Sequence, residues 1–386
     1  MKNLFLLSIV LVLIFFSCQA PMQEERVQSI IDSTRADFAP DKRIALFDIY
    51  WEKGTLAGET NLPEAHQALL QKLAADNLPF KDSITLLPES GLGEATFALV
   101  TNSVANIRSE PKHSAELATQ ALMGTPLNIL KESGSWYLVQ TPDDYISWVD
   151  AAAIVPIDQK SLDDWMGKEK VVVTEMIGNV YTDKNQEGIV SDITAGNVLE
   201  IVERFPQGYQ VVLPDGRTGF IAADMAVPYE DWINSRSTDD TSLVQTAKRM
   251  MGSPYLWGGT SPKGMDCSGF TKTIYFLNGM VIPRDASQQI LEGELIDSDK
   301  NWKNLEIGDL LFFGVPATEN SRERVVHVGM WIGDNQFIHS RGRVRISSFD
   351  PNDENYDAYE LGRYLRTKRI RQNPTERIVS VNQILN

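Results

Sequence analysis

Hydrophobic and polar positions alternate with different periods along the chain. Residues 19–95 contain two stretches, EERVQSIIDSTRADF and LPEAHQALLQKLAADN, whose apolar residues recur every three or four positions. That spacing places the apolar side chains on one face of a helix, and Pro63 near the start of the second stretch is tolerated in a first helical turn. The pattern predicts a small, mostly helical N-terminal domain over residues 19–95.

The next section repeats itself without a gap. GTPLNIL, which begins at Gly124, aligns with GNVLEIV, which begins at Gly196. In both copies short β-rich runs alternate with turn pairs such as Pro-Asp, which is typical of a small barrel built from hairpins. Each copy resembles a bacterial SH3-like domain, and we assign the two all-β barrels to residues 96–157 and 170–229.

A third pattern begins near Thr238. STDDTSLVQTAKRMMG, SGFTKTIYFLNG and PRDASQQILEG are predicted to be helices, and each stretch ends at a glycine. GDLLFFG, VVHVGMWIGDNQFIHS and YLRTKRI have the pattern of strands, the middle one a hairpin that turns at GDN. Helices followed by an antiparallel sheet indicate an α+β domain, which we assign to residues 238–375. The predicted fold class is therefore α+β and multidomain.

Residues 1–18 read MKNLFLLSIVLVLIFFSC. Lys2 and the apolar run from Leu4 to Phe16, which is too short to cross a bilayer comfortably, are typical of an export signal. The FFSC ending resembles a bacterial lipoprotein processing site, although Phe15 stands where leucine is usual, and it predicts lipidation at Cys18. A plain secretory signal with a chance cysteine is the alternative. The lipoprotein interpretation places the protein in the cell envelope, anchored to a periplasmic or outer-membrane surface.

Composition and charge narrow the possible partners. The 386 residues are 42% hydrophobic and 23% charged, an ordinary folding composition that suggests two to four domains. The formal net charge is −16. Because binding to phosphates requires clustered Lys and Arg, we expect no nucleic-acid partner. We expect the protein to be a monomer.

Cysteine usage points to one unpaired thiol. The chain has two cysteines, Cys18 and Cys267. An exported protein stabilised by disulfides would carry an even set, and after processing at Cys18 the second cysteine has no intramolecular partner. Cys267 is therefore either a buried small hydrophobe or a reactive thiol. It follows GGTSPKGMD at the expected N-terminus of a helix, where amide groups and the helix dipole stabilise a thiolate.

Cysteine catalysis also requires a base, usually histidine. Of the four histidines, His66 and His113 fall in other predicted domains, whereas His327 and His339 lie on the predicted hairpin in the domain that contains Cys267. Zinc is the competing use of one cysteine and two histidines, but the CxxC and HExxH spacings are missing. We expect a nucleophilic thiol that uses no metal and no cofactor.

Three motifs in fixed order carry a resemblance to a known family. YLWGGTSPKGMDCSGF, GDLLFF and HVGMWIG…FIHS resemble the NlpC family of papain-like bacterial cell-wall cysteine peptidases over roughly residues 240–372. The resemblance implies that Cys267 is the nucleophile, His327 the general base and His339 the third, orienting residue. It also implies that the hydroxyl of Tyr255 helps to stabilise the oxyanion.

Further residues are assigned to substrate binding. Asp266 and Ser268 flank the nucleophile and match family residues that shape the substrate pocket, and Trp257 lies in the same motif. The others lie in PRDASQQ or in the first predicted barrel, where an acid could pair with a substrate ammonium group. The full set is Asp266, Ser268, Trp257, Asp285, Ser287, Glu116 and Tyr145.

The whole layout resembles the dipeptidyl-peptidase VI type of murein-peptide hydrolase. That resemblance implies hydrolysis of the γ-D-glutamyl bond to a diamino acid in peptidoglycan stem peptides that have a free N-terminal L-alanine. Two alternatives remain open at this point. One is an endopeptidase that cuts intact cell wall and uses the barrels as wall-binding modules, and the other is a non-enzymatic, wall-binding lipoprotein.

Overall fold

The computed structural model describes residues 23–372 and 375–385. They divide into two compact units between Gly93 and Glu94. Cys18 and the predicted leader lie outside the described residues, so the structure does not bear on the lipidation prediction. Within the described part of the chain, every helix is too short or too polar to span a membrane.

The N-terminal unit combines a three-stranded sheet with two helices. The elements are α1 (residues 23–38), β1 (Phe47–Glu52), β2 (Thr55–Thr60), α2 (Pro63–Ala75) and β3 (Lys81–Leu86). β1 pairs antiparallel with β2, and β2 pairs parallel with β3 across α2, which forms a βαβ connection. Val27 and Leu69 from the helices pack with Ile49 and Leu56 from the sheet in one buried cluster.

The prediction of a mostly helical N-terminal domain was wrong. Both predicted helices form, but the three strands were missed. β1 alternates buried and exposed positions over six residues only, and β3 buries none of its side chains fully. A strand signal this short and this weak does not stand out in a sequence.

Two seven-stranded sheets begin the second unit. The first β domain contains β4 (Phe97–Val100), β5 (Val104–Arg108), β6 (Leu117–Leu122), β7 (Pro126–Ser133), β8 (Trp136–Gln140), β9 (Ile146–Asp150) and β10 (Ile154–Ile157). The second β domain contains β11 (Lys170–Val173), β12 (Ile177–Tyr181), β13 (Ile189–Thr194), β14 (Val198–Phe205), β15 (Gly208–Val212), β16 (Thr218–Ala222) and β17 (Ala226–Pro228).

The two β domains have the same strand order. It is β10-β4-β7-β8-β9-β5-β6 in the first and β17-β11-β14-β15-β16-β12-β13 in the second. Even a bulge is repeated, since the register shifts after Ile129 in β7 and after Ile201 in β14, which are aligned positions. The all-β repeat predicted from the sequence is therefore present. Among the described residues the strand pairing does not close either sheet into a ring, so the two predicted SH3-like barrels appear as seven-stranded sheets and not as closed barrels.

Short helices follow each β domain. They are α3 (Gln159–Met166) and α4 (Tyr229–Asn234), and each contributes a buried tryptophan, Trp165 and Trp232. Both indoles belong to one apolar cluster that also contains Leu99 of the first β domain and Val198 of the second. The two β domains are thus joined through a shared core.

The C-terminal domain is α+β, as predicted. Its helices are α5 (Asp240–Arg249), α6 (Cys267–Leu277), α7 (Ala286–Gln289), α8 (Ala358–Gly362) and α9 (Asn382–Leu385). Its strands are β18 (Thr260–Ser261), β19 (Gly264–Met265), β20 (Met280–Val281), β21 (Glu294–Asp297), β22 (Leu310–Val315), β23 (Arg324–Gly333), β24 (Gln336–Arg341), β25 (Arg343–Ser348), β26 (Tyr364–Arg369) and β27 (Val379–Ser380).

The central sheet of this domain has the order β21-β26-β22-β23-β24-β25. Helix α6 is buried against it, with Phe270 and Ile274 packed on Val328 of β23 and Ile338 of β24. This packing presents the first turn of α6 to the middle of the sheet.

Candidate active site

Cys267 is the first residue of α6, and Asp266 caps the helix. The Asp266 side chain accepts a 2.7 Å hydrogen bond from the Gly269 amide and a 3.0 Å bond from the Gly258 amide. The carboxylate therefore fixes both the helix start and the glycine-rich loop that leads to it. The cysteine is buried, with 8% of its surface exposed.

The two histidines of the hairpin meet on neighbouring strands. Nε2 of His327 on β23 lies 2.7 Å from Nδ1 of His339 on β24, and both rings are buried. Cys267 and Val328, the residue after His327, belong to the same buried cluster. The start of α6 and the histidine-bearing strand are thus in direct contact.

Burial favours the neutral forms of these groups. It is the largest effect on Cys267 and raises the pKa of the thiol to about 12, with the charge of Asp266 adding to it. Burial also holds the pKa of His327 well below its usual value and lowers the pKa of His339 to about 3. Burial therefore opposes the thiolate expected at the helix start, and it favours a thiol and two neutral imidazoles in the substrate-free site.

A polar network lies behind the histidines. Nε2 of His339 is 3.0 Å from the hydroxyl of Ser347, which in turn is 3.2 Å from a carboxylate oxygen of Asp357. Two guanidinium groups, those of Arg341 and Arg345, also contact Asp357. Sequence reasoning missed these residues, because a serine in a strand and an aspartate before a short helix carry no distinctive local signal.

Glu360 completes the network and bears on metal binding. Its carboxylate is fully buried and lies 3.8 Å from Nε2 of His327, and the three potential ligand atoms of His327, His339 and Glu360 lie within 4.8 Å of one another. However, both Glu360 oxygens are bonded to the Arg363 guanidinium, at 2.7 and 2.8 Å. A cation here would have to displace a buried ion pair beside further arginines, so the residues do not fit a metal site.

The predicted substrate-binding residues all border one cleft next to Cys267. The cleft has a volume of about 490 Å³, within the usual range for small-ligand sites. Its lining includes, from the C-terminal domain, Tyr255, Trp257, Asp266, Ser268, Asp285 and Ser287, and, from the first β domain, Glu116 and Tyr145. The lining does not include His327 and His339, which are buried behind it.

The first β domain is held against this cleft by specific contacts. The Trp257 indole donates a 2.6 Å hydrogen bond to Glu116, and the Thr260 amide donates a 2.9 Å bond to the side chain of Gln120. The domain is therefore a fixed wall of the cleft.

Arg284 is a cleft residue that sequence reasoning missed. Its guanidinium is 1% exposed as a side chain, lies 2.6 Å from Asp266 and donates a 3.0 Å hydrogen bond to Ser268. Among the described residues its Nε has no hydrogen-bond partner. In the sequence it is one arginine of many, and only the fold brings it to Asp266 and Ser268, the residues on either side of the nucleophile.

Comparisons with known proteins find related sequences. A sequence model of the NlpC/P60 family matches residues 252–363, and a model of the bacterial dipeptidyl-peptidase Sh3 domain matches residues 107–154. A gamma-D-glutamyl-L-lysine dipeptidyl-peptidase of Bacillus cereus is 31% identical over 235 residues, which are 58% of this chain and 67% of that protein. Dipeptidyl-peptidase 6 of Lysinibacillus sphaericus is 28% identical over 270 residues, 66% of this chain and 92% of that protein.

Two further comparisons differ in how much of the chain they cover. The crystal structure of an NlpC/P60 family protein from Bacillus cereus superposes with a TM-score of 0.60 and 25% identity, covering 71% of this chain and 99% of that chain. The probable peptidoglycan endopeptidase LytE of Bacillus subtilis is 35% identical over 135 residues, only 35% of this chain and 35% of that protein.

Proposed function

The chain belongs to the NlpC/P60 family and is a cysteine peptidase of cell-wall peptides, and we propose that it cuts the γ-D-glutamyl bond to a diamino acid in stem peptides that have a free N-terminal L-alanine. The observation that carries the proposal is the position of the first β domain. Its residues Glu116 and Tyr145 line the same cleft as Cys267. A wall at this point limits how far a peptide can extend beyond the bond that is cut.

The extent of the similarities supports the same conclusion. The relatives named as dipeptidyl-peptidases align over 235 and 270 residues, more than residues 252–363 can supply, so those alignments extend beyond the catalytic domain. The alignment with the relative named as a probable endopeptidase, LytE, covers 135 residues. We infer that the β domains are parts of the enzyme, not free wall-binding modules.

Charges in the cleft fit the proposed substrate. A γ-linked glutamate keeps a free α-carboxylate, and the buried Arg284 guanidinium beside Ser268 is a partner for that group. A free N-terminal ammonium requires acidic and polar partners, and Asp285, Glu116 and Tyr145 also line the cleft. We assign the dipeptide L-Ala-γ-D-Glu to this region.

The proposed reaction is acyl transfer in two steps. The Cys267 sulfur attacks the γ-carbonyl carbon while His327 takes the thiol proton, and the same histidine then gives that proton to the leaving amine of the diamino acid. Water, deprotonated by His327, then releases the acyl group and restores the thiol. Burial raises the pKa of Tyr255, which therefore keeps its proton and can donate to the oxyanion together with the Cys267 amide. His339 orients His327.

The remaining assignments concern location and assembly. Cell-wall peptidase relatives place the protein in the envelope or outside the cell. We further propose that Cys18 carries a lipid anchor, that the peptidase is monomeric, and that its domains follow the boundaries derived from the sequence.

Matched substrates test the proposal. The wild-type protein should release the dipeptide from L-Ala-γ-D-Glu-L-Lys, as followed by chromatography, and should lose at least a hundredfold in kcat/KM when the alanine amine is acetylated. Equal turnover of both peptides, or of intact wall, would favour the endopeptidase alternative. Cys267→Ala should abolish hydrolysis and leave the melting temperature within a few degrees, whereas hydrolysis by that variant would overturn the enzymatic assignment.

A further inference from the structure

A continuous line of hydrogen bonds runs from the proposed base to a buried carboxylate. It passes from His327 Nε2 to His339 Nδ1 (2.7 Å), from His339 Nε2 to the Ser347 hydroxyl (3.0 Å), and from that hydroxyl to Asp357 (3.2 Å). All four side chains belong to buried residues. His327 lies on β23, His339 on β24 and Ser347 on β25, and Asp357 caps α8, so four separate elements of the fold contribute to the line.

The carboxylate sets the direction of the protons along this line. Burial opposes ionisation of Asp357, but the Glu360 amide and the Arg341 guanidinium outweigh it and lower the pKa of the carboxyl. An ionised carboxylate only accepts hydrogen bonds, so the single proton of Ser347 points to Asp357. The hydroxyl then offers a lone pair to His339, whose Nε2 must carry a proton.

The protonation of both histidine rings follows from that proton on Nε2 of His339. With Nε2 protonated, a neutral His339 has a bare Nδ1, which accepts the proton on Nε2 of His327. A neutral His327 that is protonated at Nε2 has a bare Nδ1. If His327 is the base, as proposed above, that bare nitrogen is the one that accepts the thiol proton of Cys267.

We propose that Ser347 and Asp357 are positioning residues that hold His339 in its Nε2-protonated tautomer and thereby keep Nδ1 of His327 free of a proton. The proposal rests on the function proposed above, in which His327 is the base. It adds the groups that determine which of its two nitrogens acts.

One contact favours the opposite tautomer. Nε of Arg345 lies 3.4 Å from Nε2 of His339 and would donate to that nitrogen if it were bare. The Ser347 hydroxyl is closer, and another nitrogen of Arg345 is already bonded to Asp357 at 3.2 Å. The Glu360 carboxylate, 3.8 Å from Nε2 of His327, also favours a proton on that nitrogen. The geometry thus selects the tautomer that prepares the base.

The tautomer can be measured directly in protein labelled with ¹⁵N-histidine. The ring nitrogen shifts of His327 and His339, assigned with His→Asn variants, should identify protonated Nε2 and bare Nδ1 in both rings. In Ser347→Ala, Arg345 becomes the nearest donor, and His339 should shift toward the Nδ1-protonated form. Ser347→Thr keeps the hydroxyl and should restore the wild-type shifts. Shifts in Ser347→Ala that match the wild type would overturn the proposal.

Kinetics supply the second readout. Ser347→Ala should lower kcat about tenfold to hundredfold with little change in KM, the loss typical when the group that orients a functional imidazole is removed. Ser347→Thr should recover most of the kcat that Ser347→Ala loses. Ser348→Ala is the matched control, because Ser348 lies on the same strand and bonds a carboxylate, Asp353, at 2.6 Å, but does not contact the histidines.

The control separates positioning from stability. Ser348→Ala should lower the melting temperature about as much as Ser347→Ala and leave kcat unchanged. Equal loss of kcat in both variants would show that the effect is structural and would overturn the proposal. Because the tautomer measurement requires no substrate, the inference can fail while the proposed peptidase activity holds, and the activity can fail while the tautomer result holds.

Discussion

Lys272 of α6 forms a buried ion pair with Asp143, which lies in the turn between β8 and β9 of the first β domain. The side chains are 14% and 4% exposed. Lys272 follows the nucleophile Cys267 by little more than one helical turn, so the helix that carries the sulfur is fixed to the domain that walls the cleft. The position of the wall is therefore coupled to the fold of the catalytic domain.

Removing one partner of this pair should be costly. Asp143→Ala leaves an ammonium group without its counter-ion in a buried site, and the free energy of unfolding should fall by about 3 kcal/mol. Denaturant titration measures the change. Glu110→Ala removes the partner of Lys112 in an ion pair whose side chains are 55% and 60% exposed, and it should cost less than about 1 kcal/mol. Similar losses in the two variants would contradict the role of the buried pair.

Gly258 permits a second close approach between the domains. Its φ is +78°, and a Cβ atom there would lie 2.1 Å from the Leu117 carbonyl oxygen of β6. Gly258→Ala must therefore displace the first β domain from its position beside the cleft. We expect a higher KM, and we expect the free energy of unfolding to fall by about 1–3 kcal/mol beyond the cost of the backbone conformation. Gly252→Ala is the control, because Gly252 has φ +82° but a Cβ atom there would have no neighbouring atom within 4 Å. If both variants bind substrate equally well, the close approach has no functional role.

Much of the organisation could be predicted because its signals are local. The internal repeat, the α+β domain and the pairing of His327 with His339 follow from spacings within short segments. Sequence reasoning also proposed eight cleft residues besides Cys267, and the fold brings all of them to one cleft. The repeat, the α+β domain and the histidine pair are patterns that one segment, or two aligned segments, could carry, whereas the cleft residues were assigned with the help of the family resemblance.

The parts that were missed depend on long-range packing. Ser347 becomes significant only because β25 pairs with β24 and because α8 brings Asp357 to the same point. Arg284, which lies just before α7, gains its position from an ion pair with Asp266, which lies just before α6. Neither contact leaves a periodic trace in the sequence.

The buried imidazole of His339 should make stability depend on pH. Burial and the Arg345 charge lower its pKa to about 3, whereas an unfolded histidine titrates near 6.5. Below about pH 6.5 the unfolded chain takes up a proton that the folded chain does not, so the free energy of unfolding should fall by up to about 1.4 kcal/mol per pH unit on acidification. Above about pH 6.5 the His339 imidazole adds no pH dependence to the free energy of unfolding.

Denaturation midpoints measured between pH 6.5 and 5 test whether His339 causes this loss of stability. His339→Asn should show a shallower decline than the wild type in that window. Between pH 7 and 8 the two proteins should have parallel profiles, which serves as the internal control. A slope that is unchanged by the substitution in the acidic window would mean that His339 is charged in the folded protein.

The state of the Cys267 thiol is the most direct test of the site before substrate binds. Since burial raises its pKa to about 12, only a small fraction is thiolate near neutral pH, and that fraction grows about tenfold per pH unit. Alkylation by iodoacetamide should therefore accelerate about tenfold per unit between pH 7 and 9. Measured in Cys18→Ser, where Cys267 is the only thiol, the rate reports this group alone, and the further change Cys267→Ala should abolish labelling. A rate that is constant from pH 6 to 8 would instead indicate a preformed thiolate–imidazolium pair with His327, and proton transfer would then precede substrate binding.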